Sequence, residues 1–234
     1  MSSKRENIQI MLPYKRNRYK VINLESGKAK IYRQQKKDKI KDVYLLVNNR
    51  KQLLFRIENR ELTFFLTSKC NQHCIMCPQE LNIDSTDNDL IAQRVIDNLD
   101  YSSLDGICFT GGEPLLKEKF IEQILHKSPK RIFITILTNG TIIPSEKILK
   151  SNRVKLCVPL YSSSDDIHNY MTGAFSFYKV IENLMKISQY EILIELRFVM
   201  TKKNVTNLVE YARFVCRNLP FVQDVAFMGM ELTA

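Results

Sequence analysis

The sequence has no long, uninterrupted apolar run. Its longest apolar stretches are Ile132–Leu137 and Ile192–Met200, and Glu195 and Arg197 interrupt the second one. A membrane-spanning helix needs roughly 18 or more predominantly apolar residues. We therefore expect no transmembrane helix and no membrane partner. The basic N-terminus also lacks the apolar core and the small-residue cleavage site of a secretory signal, so we expect a cytoplasmic protein.

Cysteine is scarce and unevenly distributed. The chain has six cysteines, and three of them lie between residues 70 and 77. Disulfide-stapled proteins are short chains with paired cysteines spread along them. The observed pattern therefore excludes a disulfide scaffold and indicates a reducing compartment and a metal site. Cys108, Cys157 and Cys216 have no paired spacing, and we interpret them as small buried hydrophobic residues.

Acidic residues are scarce in the first quarter of the chain. Residues 1–60 carry 17 Lys and Arg against 5 Asp and Glu, whereas residues 61–234 carry 18 against 20, so the excess positive charge belongs to the N-terminal segment. Such a surface favours an acidic partner, either an acidic peptide or a nucleic acid. A solvated basic extension is an equal alternative. Few aromatic residues accompany these lysines, which disfavours nucleic acid because single-stranded bases stack on aromatic side chains.

The hydrophobic pattern changes near residue 60. Before it, short alternating stretches separated by polar turns predict a small antiparallel β-rich module. These stretches are Tyr19–Leu24, Ala29–Tyr32, Val43–Val47 and Leu53–Ile57, with turns at 36–39 and 48–49. From residue 61, strand patterns alternate with helical patterns, which predicts a parallel sheet with crossover helices. The predicted strands are Leu62–Thr67, Gly106–Thr110, Arg131–Thr138, Val154–Leu160, Ile192–Met200 and Asp224–Met228.

Helical spacing of apolar residues fills the gaps between these strands. The helical runs begin at Leu90, Phe120, Val180 and Leu208, with a short helix near Ser145–Lys150. Asn204 is the predicted N-cap of the last run. The sequence thus predicts an α/β protein with two parts, a β-rich module at 1–60 and a partial (β/α)6 TIM-like barrel at 61–234. Since no helical pattern follows the sixth strand, we expect a shortened or truncated core.

Three cysteines follow the first core strand directly. Cys70, Cys74 and Cys77 have the spacing CxxxCxxC, at the strand end where barrel folds place their chemistry. Three thiolates in one compact loop can each bind one iron of a cubane, which leaves the fourth iron open to a chelating small molecule. The alternative is a zinc knuckle with His73 as the fourth ligand. His73 directly precedes Cys74 in the sequence, and this spacing is awkward for a tetrahedral site in one tight loop.

A glycine-rich turn follows the second core strand. Gly111 and Gly112 allow close backbone approach to a ligand, Glu113 can accept a hydrogen bond from an ammonium group, and Pro114 follows. With the cysteine triad, this turn resembles the signature of the radical S-adenosylmethionine superfamily. The resemblance implies a 4Fe–4S cluster on the triad and S-adenosylmethionine on its open iron. Reductive cleavage of that cofactor would yield a 5'-deoxyadenosyl radical, with the turn holding the methionyl amino group.

The same resemblance implies further cofactor contacts. We predict that Met76, which stands where the family usually has an aromatic residue, packs beside adenine. Asn139 lies in a recurrent family turn, and Ser162 follows the fourth strand as a ribose ligand. Arg197 pairs with the cofactor carboxylate, with Glu195 or with another acidic residue of the barrel. Val199 and the turn at Met228 and Gly229 are predicted to flank adenine. For His168, we predict a structural role in a stabilised loop after the fourth strand rather than a role as general base.

Three further patches resemble one branch of the superfamily. These patches are 77–79, 158–162 and 211–231, and they are similar to the maturases of the His-Xaa-Ser system. This resemblance implies a small peptide substrate, a second radical enzyme as partner and an external electron donor. Two other classes stay open: a radical enzyme that modifies tRNA or a nucleotide, and a non-catalytic zinc-binding module.

Overall fold

The structure is a computed structural model that describes residues 8–15, 18–34, 41–47, 50–77 and 89–229. Its strands are β1 Ile8–Tyr14, β2 Arg18–Asn23, β3 Ala29–Arg33, β4 Val43–Val47, β5 Arg50–Glu58, β6 Glu61–Phe65, β7 Gly106–Thr110, β8 Phe133–Leu137, β9 Val154–Pro159, β10 Leu193–Met200 and β11 Asp224–Gly229. Its α-helices are α1 Asp89–Asn98, α2 Glu118–Lys127, α3 Glu146–Leu149, α4 Asp165–Thr172, α5 Phe177–Ile187 and α6 Leu208–Asn218.

All strands of the described residues form one sheet with the order β11-β10-β9-β8-β7-β6-β5-β4-β1-β2-β3. Strands β6 to β11 run parallel to their neighbours in chain order. The remaining pairs are antiparallel, including β5 with β6, so the N-terminal strands continue the sheet of the core. The six predicted core strands are present, and the predicted α/β fold with a partial barrel is confirmed. The division into two domains at residue 60 stays a prediction.

Alternate residues of the parallel strands face in opposite directions, which separates the core from the site. Ile107 and Phe109 of β7 and Leu196 of β10 are buried in the apolar core that also contains the inner faces of the helices. Cys108 lies between Ile107 and Phe109 in β7, and Arg197 follows Leu196 in β10. Because successive side chains of a strand point to opposite faces, Cys108 and Arg197 lie on the other face of the sheet.

The N-terminal strands are attached to the core through α1 as well as through β6. Their buried residues include Ile10, Leu12 and Ile22, which belong to the same hydrophobic cluster as the core. Polar contacts add to this attachment: Arg94 Nε donates to the Leu24 carbonyl at 3.2 Å, and Lys20 Nζ donates to the Asn98 carbonyl at 3.3 Å.

Some local elements of the structure differ from those predicted from the sequence. Strand β1 was not predicted, although it lies between β2 and β4 in the sheet. The prediction of a loop around His168 is wrong, since residues 165–172 form α4, which ends at Gly173 in the left-handed conformation. Asn204 does not cap α6, which begins four residues later. The predicted turns at 36–39 and 48–49 lie outside the described residues. Within the described part of the chain, no helix combines the length and apolar character that a bilayer crossing requires.

Candidate functional site

The cysteine loop lies against the glycine turn after β7. The Gly112 N–H donates to the Thr67 carbonyl at 2.7 Å, and the Glu113 N–H donates to the Lys69 carbonyl at 2.8 Å. A Cβ atom on Gly111 would lie 2.3 Å from the Thr67 carbonyl oxygen, and one on Gly112 would lie 2.2 Å from that of Lys69. The glycines therefore serve the contact between two loops, in addition to any approach to a ligand.

A second element holds the cysteine loop from the C-terminal end of α4. The His73 N–H donates to the Thr172 carbonyl at 2.9 Å, and the Ile75 N–H donates to the Met171 carbonyl at 3.0 Å. Gly173 has φ +61°, and a Cβ atom there would lie 2.5 Å from the His73 carbonyl oxygen. The loop is thus fixed from two sides by residues that are far away in sequence.

The three thiols of this loop line one cavity of about 380 Å³. Burial, together with the neighbouring Cys70 and Cys77, raises the pKa of Cys74 to about 12. Burial likewise raises the pKa of Cys70. Buried thiols in a group resist ionisation because the resulting like charges repel each other in a poorly solvated place. Thiolates at this site therefore require a compensating cation, as a bound metal supplies.

A site for a single zinc ion finds no support in the described residues. Among them, no three His, Cys, Asp or Glu side chains are grouped so that they could hold one metal ion. His73 is exposed, and its backbone contacts the C-terminal end of α4. A cubane differs from a zinc ion in this respect, because each thiolate binds a different iron.

Glu113 is completely buried and accepts three hydrogen bonds from the protein. Its Oε1 accepts from the Leu115 N–H at 2.9 Å and from the Thr138 hydroxyl at 2.8 Å, and its Oε2 accepts from the Asn139 N–H at 2.7 Å. Burial raises the pKa of the carboxyl, and these three donors oppose the increase. In this structure Glu113 thus positions the turns after β7 and β8. Its predicted contact with an amino group stays a prediction.

Asn139 connects the turn after β8 to the cysteine loop. Its Nδ2 donates to Asn71 Oδ1 at 2.6 Å and lies 3.7 Å from Cys70 Sγ as a donor. Behind it, Gly140 has φ +76°, and a Cβ atom there would lie 2.6 Å from Val158 Cγ1. Asn139 therefore lies beside a predicted cluster ligand.

Gln72 is a residue of this site that the sequence did not single out. It lines the cavity between two cysteines and is 1% exposed. Its Oε1 accepts from Cys74 Sγ at 3.6 Å, and its Nε2 is buried without a hydrogen-bond partner. Buried side-chain donors nearly always have a partner in native proteins. No local signal distinguishes Gln72 from the polar residues on either side of it, because only its burial sets it apart.

A cluster of charged side chains on β9 and β10 reaches this cavity through Arg197. Glu195 accepts from Arg197 Nε at 2.8 Å and from Lys155 Nζ at 2.7 Å. Burial tends to raise the pKa of Glu195, but these two cations outweigh it and lower the pKa to about 2. Of the partners predicted for Arg197, Glu195 is therefore the one that the structure shows. The guanidinium also lines the cavity.

The structure brings most of the predicted site residues to one cavity. Its lining includes the three cysteines and the predicted cofactor contacts Met76, Gly111, Gly112, Asn139, Arg197, Val199 and Met228. Glu113, Pro114, Ser162 and Gly229 are not among the described lining residues. The Ser162 hydroxyl is buried and accepts from the Ser164 N–H at 2.9 Å, and Pro114 begins a short 3-10 helix. Cys108 and Cys157 are buried as predicted, and Cys157 also lines the cavity. The prediction for Cys216 is wrong, since it is exposed on α6.

Asn204 was assigned to a helix cap but serves the site instead. Its Nδ2 donates to the Tyr161 carbonyl at 3.1 Å and to the Val199 carbonyl at 2.9 Å. Both of these residues line the cavity. The fully buried amide thus joins the ends of β9 and β10. Asn204 occupies the N-cap position of the 3-10 helix Val205–Asn207, but its Oδ1 accepts from the Thr201 N–H and hydroxyl and makes no capping hydrogen bond.

His168 is fully buried and has partners for both ring nitrogens. Its Nδ1 accepts from the Tyr161 N–H at 3.3 Å, and its Nε2 lies 3.2 Å from the Ser176 hydroxyl. Burial lowers the pKa of the ring to about 4. The ring is therefore neutral near pH 7 and holds α4 against the end of β9, which agrees with the predicted structural role.

We expect His168 to make the stability of the protein depend on pH. The unfolded chain binds the proton near the ordinary pKa of 6.5 and the folded protein only near 4, so the unfolded state holds more protons between these values. Stability should fall by about 2–3 kcal/mol as the pH decreases through this window. Urea unfolding at several pH values should show a smaller decrease for His168→Gln. The exposed His126→Gln should behave like the wild type, and equal slopes for all three proteins would contradict this assignment.

Comparison with known proteins identifies the family. The model of the radical SAM superfamily matches residues 64–215, which is more than half of the chain. The mycofactocin maturase MftC of Mycolicibacterium smegmatis is 26% identical over 170 residues, covering 67% of this chain and 41% of the relative. A probable GTP 3',8-cyclase of Thermococcus kodakarensis is 24% identical over 182 residues, covering 74% and 59%. The chain therefore belongs to the radical SAM superfamily.

A solved structure shows the same fold. SuiB of Streptococcus suis, bound to its precursor peptide SuiA, has a TM-score of 0.60 and 17% identity, covering 76% of this chain and 40% of SuiB. The predicted superfamily is confirmed, and maturases are among the similar proteins. The predicted cofactors, a 4Fe–4S cluster and S-adenosylmethionine, are confirmed as those that this superfamily uses. This chain spans between 37% and 59% of the length of the first curated relatives that it matches.

Proposed function

We propose that this chain is a radical SAM enzyme that modifies a peptide. Cys70, Cys74 and Cys77 would hold the 4Fe–4S cluster and leave one iron for S-adenosylmethionine. When bound, the reduced cluster supplies the electron that cleaves the cofactor to methionine and a 5'-deoxyadenosyl radical. The observation that carries this proposal is the arrangement of the three thiols and the Gly111–Gly112 backbone around one cavity.

The cavity provides groups for each part of the second cofactor. The backbone of Gly111 and Gly112 would face its methionyl end, and Arg197 would attract its carboxylate while keeping its ion pair with Glu195. Met76 would supply an apolar surface for adenine, together with Val199 and Met228. Ser162 would act as a ribose ligand by donating its hydroxyl hydrogen, because the bond with the Ser164 N–H uses only the oxygen as an acceptor.

The peptide substrate is inferred from two lines of support. MftC is named a maturase, and SuiB binds a precursor peptide. In addition, the excess positive charge of residues 1–60 complements an acidic peptide segment. The similarity to His-Xaa-Ser maturases makes a small peptide rich in His-Xaa-Ser repeats the first substrate to test, with a second radical enzyme as partner and an external electron donor.

Mass spectrometry of a co-expressed candidate peptide tests this function. We expect a mass change in the peptide when it is co-expressed anaerobically with the wild-type enzyme and its partner. The same peptide co-expressed with the Cys74→Ala enzyme is the control and should keep its unmodified mass. An unmodified peptide with an enzyme that cleaves S-adenosylmethionine would contradict this substrate while leaving the radical chemistry intact.

Modification of a nucleotide or tRNA is the second candidate. The GTP 3',8-cyclase similarity favours it, since that match covers 74% of this chain. Protein contacts with phosphates release counterions, so affinity would fall steeply with salt. Dissociation constants from anisotropy titrations of labelled tRNA at about 50 and about 200 mM salt should then differ by orders of magnitude. Weak binding at both concentrations would exclude tRNA as the partner of the basic segment.

A further inference from the structure

The Gln72 side chain has a buried donor that nothing in the described structure satisfies. Its Oε1 faces the sulfur of Cys74, while its Nε2 lies buried beside the same cavity without a partner. A buried polar group without a hydrogen bond is costly, and an apolar side chain of similar size would avoid that cost. The amide therefore requires an explanation that involves something the cavity binds.

Binding of the cluster would change Cys74 from a hydrogen-bond donor to an acceptor in its contact with Gln72. In the contact described here, the thiol donates to Oε1. A sulfur that binds iron carries no hydrogen and can only accept. A half-turn about the terminal torsion exchanges Oε1 and Nε2, and this torsion is broad and roughly two-fold. The exchange would place the unpartnered N–H toward the sulfur.

The first cysteine of the loop already has a carboxamide donor of this kind. Asn139 Nδ2 lies 3.7 Å from Cys70 Sγ as a donor. Gln72 would provide the corresponding contact for Cys74, so amide donors would reach two of the three sulfur ligands.

We propose that the Gln72 carboxamide donates a hydrogen bond to the sulfur of Cys74 in the cluster-loaded protein and thereby raises the reduction potential of the cluster. This inference rests on the proposed role of the cysteine triad. Reduction adds one electron to the cluster, so a donor directed at its ligand stabilises the more negative reduced state. Hydrogen bonds to sulfur and solvent exposure are among the factors that set the potentials of such clusters. The low solvent exposure of Gln72 strengthens this electrostatic effect.

A redox titration followed by electron paramagnetic resonance tests the proposal. Wild-type protein, Gln72→Leu and Gln72→Met are reconstituted anaerobically and titrated with titanium(III) citrate in the absence of S-adenosylmethionine. We expect both variants to hold about four irons and to be reduced less readily. A tenfold weaker reduction equilibrium corresponds to a potential 59 mV more negative for a one-electron couple.

Gln93→Leu is the matched control. Gln93 lies on α1, and its amide donates to Asp97 and Gln123, outside the described cavity lining. Its loss should leave the potential unchanged. Potentials for the Gln72 variants equal to that of the wild type would overturn the proposal.

A second measurement needs no substitution that could disturb folding. Wild-type protein labelled with ¹⁵N in the glutamine side chains should show a weak ¹⁵N hyperfine coupling in pulsed spectra of the reduced cluster. The coupling should persist in Gln93→Leu. If wild-type protein binds the cluster but shows no such coupling, the role of Gln72 is overturned and the proposed function is not. If wild-type protein binds no cluster, the proposed function itself is overturned.

Discussion

Replacing Cys74 by alanine is expected to abolish both cluster binding and cleavage of S-adenosylmethionine. Cys74 is the middle thiol of the triad, and its neighbours Cys70 and Cys77 are close enough to raise its pKa. Two thiolates cannot anchor a cubane in the arrangement that leaves a single open iron. Loss of a residue that only supports a metal ligand costs 10- to 100-fold in affinity or activity, so loss of a ligand should cost about 100-fold or more.

The experiment measures iron content and 5'-deoxyadenosine after anaerobic reconstitution and addition of dithionite. Wild-type protein should be brown, hold about four irons and release 5'-deoxyadenosine. Cys216→Ala is the matched control, because Cys216 is an exposed free cysteine on α6. It should match the wild type in both measurements. If the C74A protein still cleaved the cofactor, the assignment of the ligands would be wrong.

Replacing Gly112 by alanine is expected to cause a large loss of stability. The new Cβ atom would lie 2.2 Å from the Lys69 carbonyl oxygen, which is backbone and cannot rotate away. The same change would strain the hydrogen bonds from Gly112 and Glu113 to the cysteine loop. Steric overpacking of this kind costs about 2–4 kcal/mol.

Thermal unfolding and iron content together check this prediction. A loss of 2–4 kcal/mol should lower the Tm by about 5–15 °C for a chain of this size. Iron content should fall as well, because the displaced loop carries the three cysteines. Gly229→Ala is the control, since among the described residues, its chain neighbours aside, no atom lies within 4 Å of a Cβ atom at that position. Equal melting of G112A and wild type would show that the two loops do not pack as described.

The alternation of strands and helices could be predicted from local patterns. Residues of β7 alternate between the core and the cavity face, and the helix that follows β7 has an apolar side, so each element carries its own periodic signal. The cysteine loop and the glycine turn could be found for the same reason. Each of them is a short segment directly after a predicted strand.

Long-range contacts explain what the sequence did not predict. The structural roles of Glu113 and Asn204 depend on carbonyls, hydroxyls and amides that lie up to 43 residues away in the chain. Gln72 gains its importance from burial beside the cavity, which no local pattern reveals. Strand β1 is likewise defined by its pairing with β2 and β4.

By itself, the sequence determined the class of fold, the succession of the core strands along the chain and the cysteine spacing that carries the resemblance to the superfamily, because spacing and periodicity are properties of neighbouring residues. Only the tertiary structure decided how the cysteine loop is held. Gly112 supports it from β7 and Gly173 supports it from α4, more than a hundred residues beyond Cys70 at the furthest. Such contacts form when distant backbone segments meet, and their geometry depends on the packing of the whole sheet.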